Sequence, residues 1–378
     1  GQSVDYSQIE TLPAYQRVPL SRFAPEDLTQ ALDEEEYDLG QVKKALRCND
    51  KGEISYLKFL FPNFLRAERL ARLRWGLRVF TEYDGCLKSD RALQQLREGF
   101  PLSGKTLSPT KLETYASCPF RYFLSEVLGL KPLPSPEEIR RIEPLDRGSV
   151  IHAILHQFFE QLLKTAPGPL RPENLELYWQ IMLEVSSRVF AEAEERGLTG
   201  LPLLWELDRQ NILEDLRAFL KNETGEEKMM VPADFEIRFG YEKVISPKDG
   251  LVKAPSLTLE DGTPVSFRGR IDRVDLSQEE EYLRVIDYKT GKIQGEEDGF
   301  CGGTTLQLPI YLMAAWQIWN QANREKSWAE YCPISREKKF KPLLFRGEKW
   351  AEKEKTLKKI VHAIIQGTAE GTFFAYPG

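Results

Sequence analysis

Near Val231 the hydrophobic period of this 378-residue chain changes from 3.6 to 2, which restricts it to folds that combine helices with a sheet. Before that point Leu112, Tyr115 and Ala116, and then Ile151, Ile154, Leu155, Phe158, Phe159 and Leu162, recur at helical spacing. Ser108 is placed to cap the first of these helices, with Pro109 at its first position. The second is expected from about Gly148, and further helical stretches over about 172–196 and 203–224. Beyond Val231, Phe235, Ile237, Phe239 and Tyr241 alternate with Glu236, Arg238 and Gly240, as in a strand. The turn pairs Asp249-Gly250 and Asp261-Gly262 separate further strands, expected at 265–276 and 282–290. A helix over about 305–320, a strand near 330–335 and a lysine-rich last helix complete the order. Pro, Gly and Ser gather between Gly99 and Thr110, so the boundary is drawn there: a helical segment, 1–105, then an α/β domain, 106–378.

Composition removes several classes of function. No apolar run approaches the roughly 18–20 residues of a membrane span, and the start, GQSVDYSQIE, lacks the basic and apolar stretches of a secretion signal. The first residue is glycine, and the chain is read as a fragment. Five cysteines, Cys48, Cys86, Cys118, Cys301 and Cys332, are scattered with no CxxC pair, which argues against a disulfide framework and for a reducing cytoplasm. The net charge of −6 repels polyanions from the molecule as a whole, so a nucleic acid must be held locally. Arg66, Arg69, Arg72, Arg74 and Arg78 around Trp75 are either a solvated helix face or a surface that tracks phosphates.

The chemistry concentrates in Phe267-Arg-Gly-Arg-Ile-Asp-Arg-Val-Asp275 and Tyr282-Leu-Arg-Val-Ile-Asp-Tyr-Lys-Thr290. Residues i and i+2 of a strand share a face, so Asp287 and Lys289 project together beside Val285, with Ile286 and Tyr288 opposite. By the same rule Asp272 is expected to share its face with Val274 and Leu276, with Ile271 on the other. A carboxylate among apolar neighbours is costly without a partner or a metal. Two carboxylates converging from adjacent strands suit Mg²⁺ or Mn²⁺, with a lysine nearby to orient a water; an ordinary Asp–Lys ion pair is the plainer reading.

The pattern Gly269-x-Ile271-Asp272 followed by Asp287-Tyr288-Lys289-Thr290 resembles the PD-(D/E)XK nuclease superfamily in its RecB-like branch, close to the AddB-type subunits of helicase–nuclease complexes. Arg147-Gly148-Ser-Val-Ile-His152 is similar to the early helix motif of that branch, and Gln307-Leu-Pro-Ile-Tyr311 to its Q-x-x-x-Y motif. The stretch Leu107-Ser108 to Cys118-Pro119-Phe120, with Tyr122-Phe123, resembles the segment that opens its domain. The resemblance implies a restriction-endonuclease-like mixed central sheet flanked by helices, with the helical N-terminal segment as an addition. It implies a Mg²⁺- or Mn²⁺-dependent deoxyribonuclease, an exonuclease on single-stranded ends in double-strand break repair, beside a helicase or nuclease partner subunit. His152, Asp272 and Asp287 would hold the metal, Lys289 would position the attacking water, and Gln307 and Tyr311 would contact DNA or orient the lysine; Glu236 lies where a supporting acid is found. A nuclease-fold scaffold that binds DNA without cutting it is the alternative.

Three other signals are weighed alongside. His152 and His156 form an i, i+4 pair, but no Glu follows His152 as a zinc protease motif demands, and only His152 has the family spacing. Gly99 to Thr106 fits GxxxxGK[ST] literally, yet a polar helical pattern precedes it and Pro109 restarts a helix, so ATP is not expected to bind. In iron–sulfur members of the branch the cysteine at the Cys118 position is a cluster ligand. Four thiolates are needed, and Cys301 and Cys332 do not stand at the other ligand positions, so a [4Fe-4S] cluster is expected only if a longer natural chain supplies three more cysteines.

Overall fold

The computed structural model describes residues 24–76, 80–99, 106–131, 140–225, 230–241, 245–246, 250–251, 254–279, 281–320, 322–336 and 340–376. Arg78, the turn residue Asp249 and residues 100–105 of the phosphate-loop match lie outside them. The chain divides into two compact units, Gly1–Tyr83 and Asp84–Gly378.

In the first unit α1 (Glu34–Cys48), α2 (Lys51–Leu60) and α3 (Pro62–Trp75) follow in series. Asp33 and Asp50 start the first two by accepting N–H bonds from Glu36 and from Gly52 and Glu53. No side chain of α3 is buried: Arg66, Arg69, Arg72 and Arg74 are all exposed, and the Arg74 guanidinium lies 5.3 Å over the ring of Trp75.

The second unit contains α4 (Asp90–Gly99), α5 (Pro109–Ser117), α6 (Pro144–Thr165), α7 (Leu175–Glu195), α8 (Pro202–Gly225), α9 (Gln307–Ile318) and α10 (Trp350–Ala369). Its strands are β1 (Thr106–Leu107), β2 (Met230–Phe239), β3 (Ser256–Thr258), β4 (Pro264–Phe267), β5 (Gly269–Ser277), β6 (Leu283–Lys289), β7 (Trp328–Pro333) and β8 (Leu343–Arg346). The central sheet runs β8-β7-β6-β5-β2, with β6 and β7 parallel and every other neighbour antiparallel. A parallel pair cannot be closed by a hairpin, so α9 supplies the crossover between β6 and β7.

Each face of this sheet is covered by helices. Val274, Leu276, Leu283 and Val285 pack with Leu308, Leu312 and Ala315 of α9 and Leu357, Val361 and Ile364 of α10. Ile286, Tyr288 and Cys332 pack on the other side with Ile154, Phe158 and Phe159 of α6, Met182 and Val185 of α7, and Leu216 and Phe219 of α8. A mixed sheet between two helical layers is the restriction-endonuclease-like class that the sequence resemblance implies.

Several local expectations need correction. The strand expected over 265–276 is broken at Arg268: β4 belongs to a separate β1-β4-β3 sheet and β5 to the central one. The break is forced by close packing, since a Cβ on Gly269 would sit 2.7 Å from the Phe239 ring, and Gly240, at φ +73°, leaves no room beside the Phe267 carbonyl. Helix α6 begins at Pro144, a turn before Gly148, and Ser108 stands at the start of α5 without a side-chain capping bond. Strand β8 gives no clear alternation in the sequence and was not expected.

Beneath the sheet lies a buried network of five charges. Arg273 grips both oxygens of Asp275 at 2.5 and 2.7 Å and donates to Glu223 at 2.9 Å. Arg284 donates to Glu330 at 2.5 Å and to Glu223 at 3.1 Å. All five side chains are at most 3% exposed, so these bonds stand in a low dielectric and tie α8 to β5, β6 and β7 at once. Burial pushes the Asp275 carboxyl upward even against the two guanidiniums.

Candidate active site

The antiparallel ladder of β5 and β6 runs from Leu276 opposite Leu283 to Arg273 opposite Ile286, and ends there. Past that pair the Tyr288 N–H donates to Asp272 Oδ2 at 2.8 Å, so a side chain takes over from the backbone. The alternation expected around Asp272 fails at the same point: Ile271 lies in the same core as Val274 and Leu276, and Asp272 turns toward α6. On β2 the corresponding break is Glu236, whose φ of +50° is strained for a residue with a side chain. Phe235 therefore stacks on Phe159 of α6 while Ile237 and Phe239 enter the opposite core, against the strict alternation that the sequence suggests.

These two irregularities bring three residues together. One ligand atom each from His152, Glu236 and Asp272 lies within 4.8 Å of the other two. An ion with bonds of about 2.1 Å spaces its ligand atoms by no more than about 4.2 Å, so this donor set fits a divalent cation after a small side-chain adjustment. His152 Nε2 lies 3.1 Å from the Tyr288 carbonyl, which can only accept, so Nε2 carries the proton and Nδ1 keeps its lone pair. That Nδ1 is 3.4 Å from Asp272 Oδ1. Burial lowers the imidazole's proton affinity, but the Asp272 hydrogen bond and the charges of Asp272, Asp287 and Glu236 outweigh it and raise its pKa. Burial also raises Glu236, against the Arg270 guanidinium 2.7 Å from its carboxylate. His152 is aimed by a well-held helix: Arg147 bonds Asp215 of α8 at 2.9 Å, and Gly148 lets α6 approach Thr290 closely.

Asp287 and Lys289 share a face, as the alternation predicts, and stand outside that three-residue group. Their side chains form an ion pair, and Lys289 Nζ donates to Gln307 Oε1 at 2.8 Å and lies 4.7 Å over the Tyr331 ring. The Asp287 carboxyl is pushed up to about 6 by burial, offset in part by Lys289 and reinforced by Asp272. Tyr311, one turn after Gln307, is buried edge-on against Phe239 at 5.7 Å, and burial raises its phenol far above the ordinary range. Burial raises Glu113 to about 7 although it accepts two backbone N–H bonds. A cleft of about 550 Å³ opens onto the group, lined by His152, His156, Glu236, Arg270, Lys289 and Thr290.

His156 lies on this cleft but pairs with Glu160 at 3.8 Å, and among the described residues it joins no ligand cluster. Cys118 is a free, partly buried thiol, and among the described residues no ligating side chains gather around it. Thr110, Glu113, Arg270 and Tyr331 are parts of the surroundings that sequence reasoning missed, since only the fold brings them to residues far along the chain.

Residues 106–378 match the family profile of the PD-(D/E)XK nuclease superfamily, a span that holds every residue of this site. The chain belongs to that superfamily. Within this nuclease superfamily it is 32% identical over 215 residues to an ATP-dependent helicase/deoxyribonuclease polypeptide of the AddB type from Moorella thermoacetica, covering 55% of the chain and 17% of that protein. The protein of the same name from Carboxydothermus hydrogenoformans is 28% identical over 302 residues, 77% of the chain and 24% of that protein. The Clostridioides difficile protein, again of that name, is 30% identical over 218 residues, 55% of the chain and 17% of that protein. The chain thus spans between 17% and 24% of the length of these curated relatives.

Proposed function

We propose that this chain is the nuclease part of a longer helicase–nuclease polypeptide and hydrolyses DNA phosphodiester bonds with Mg²⁺ or Mn²⁺. The observation that carries the reading is the meeting of His152, Glu236 and Asp272 within 4.8 Å, with the Asp287–Lys289 pair on the adjoining strand. An imidazole with hard carboxylate oxygens suits those ions. When bound, such an ion polarises a phosphate and lowers the pKa of a water.

The protein's own groups supply the rest. His152 Nδ1, Asp272 and Asp287 hold the ion, with Glu236 as the supporting acid that the strained turn of β2 delivers. Lys289 orients the attacking water and offsets charge on the phosphate oxygens, and Gln307 fixes the ammonium in place. Water adds to phosphorus, the P–O bond to one nucleoside breaks, and that oxygen leaves with a proton. Tyr311 supports the floor of the site through Phe239. The names of the relatives suggest a DNA substrate, taken here as single-stranded ends cut exonucleolytically, and a helicase partner. Five unbonded cysteines suit a reducing cytoplasm, and no helix among the described residues is long and apolar enough to cross a membrane.

The test is cleavage of end-labelled single-stranded DNA with Mg²⁺ or Mn²⁺ by the wild type beside Asp287→Ala and Lys289→Ala. Cleavage by the wild type alone is expected. Equal cleavage by all three proteins, or none by the wild type with either metal, overturns the assignment.

A further inference from the structure

Thr110 and Glu113 lie one turn apart at the start of α5, and both reach residues nearly two hundred positions later. Glu113 Oε1 accepts the backbone N–H of Leu306 at 2.6 Å and of Gln307 at 2.9 Å. These are donors at the first turn of α9, which has no side-chain cap from its own N-cap residue, Leu306. An acid there also meets the positive end of the helix dipole. Glu113 thus caps α9 from a different helix.

Thr110 completes the arrangement. Its Oγ1 accepts from Gln307 Nε2 at 3.1 Å, while Gln307 Oε1 accepts from Lys289 Nζ at 2.8 Å. Rotating that amide by half a turn would set its NH₂ against an ammonium, two donors face to face. The platform is itself firm: Leu112 and Tyr115 of α5 are buried, and the Tyr115 hydroxyl donates to the Thr372 carbonyl at 2.7 Å.

We propose that Thr110 and Glu113 are positioning residues, a clamp on α5 that holds the first turn of α9 and the Gln307 amide in the one orientation that accepts the Lys289 ammonium. The inference rests on the reading of Lys289 as the group that orients the attacking water. Both residues act through Gln307, and displacements of about 1 Å at such a site are worth up to about a hundredfold in rate.

The experiment uses the full chain, with four variants. Thr110→Val keeps the shape and removes the acceptor; kcat on single-stranded DNA falls about tenfold while KM and the melting temperature stay unchanged, and Thr110→Ser restores kcat. Glu113→Ala speeds hydrogen exchange at the Leu306 and Gln307 amides in the metal-free protein, read by mass spectrometry of a peptide covering 304–312, and Glu113→Gln gives an intermediate rate. Wild-type kcat in Thr110→Val, no rescue by serine, or wild-type amide exchange in Glu113→Ala each overturn the clamp. A wild type that cuts no DNA defeats the nuclease reading and, with it, the catalytic purpose of the clamp, whereas an active wild type that loses activity on Asp287→Ala but not on Thr110→Val defeats the clamp alone.

Discussion

Replacing Arg284 by methionine isolates what the buried charges beneath the sheet contribute. The network holds three carboxylates, Glu223, Asp275 and Glu330, against the guanidiniums of Arg273 and Arg284, a formal sum of −1. Arg284→Met takes it to −2 and leaves Glu330 without its 2.5 Å partner, at sites no more than 3% exposed. Breaking a buried pair by removing one member costs about 3–5 kcal/mol. Unfolding entropy for a unit of roughly 300 residues is about 0.6 kcal/mol per kelvin, so the melting temperature should fall by about 5–8 °C. The stranded carboxylates acquire folded-state pKa values above their unfolded ones. Their favourable contribution is complete below the unfolded value and is lost as pH rises through the folded one, so the deficit is larger at pH 8 than at pH 5. The double variant Arg284→Met/Glu330→Leu restores the sum of −1 and should be more stable than the single one, although it removes a further polar group. Urea unfolding followed by circular dichroism at the two pH values measures all of this. A single variant within about 1 kcal/mol of wild type, or a deficit that grows on acidification, would refute the view that these charges are held by mutual compensation.

Three further outcomes are expected. Mn²⁺ at a hundred times its dissociation constant should stabilise the protein by about 2.7 kcal/mol, with His152→Ala losing most of that gain; calorimetric melting with and without EDTA decides it, and equal gains in both proteins contradict the metal site. Protons compete with the metal for His152, whose pKa is raised, and for Asp287, pushed up to about 6, so Mn²⁺ affinity should fall as pH drops from 7.5 to 5.5; titration calorimetry giving a flat affinity would contradict the assigned ligands. Gly240→Ala drives a Cβ into the Phe267 carbonyl oxygen at a φ of +73°, so it should destabilise by roughly 1–3 kcal/mol in chemical denaturation, and a neutral effect would mean that the turn between β2 and the small sheet relaxes freely.

The sequence alone carried much of the fold, because alternation and helical spacing are local properties of a chain that must bury one face of each element. The helical face of Ile151, Ile154, Leu155, Phe158 and Phe159 is buried as its spacing requires, and Asp287 and Lys289 share a strand face for the same reason. Motif spacing was also enough to single out His152, Asp272 and Gln307. Tertiary structure decided wherever one segment overrides the local pattern of another. The ring of Phe239 crowds Gly269 and divides a strand that reads as continuous; the left-handed turn at Glu236 moves an acid into a cluster with residues on β5 and α6; and a glutamate on α5 caps a helix that begins 194 residues later. Periodicity reports which way a side chain points along its own element. It carries no information about what stands opposite, and that opposition sets the charges, the hydrogen bonds and the donor set of this site.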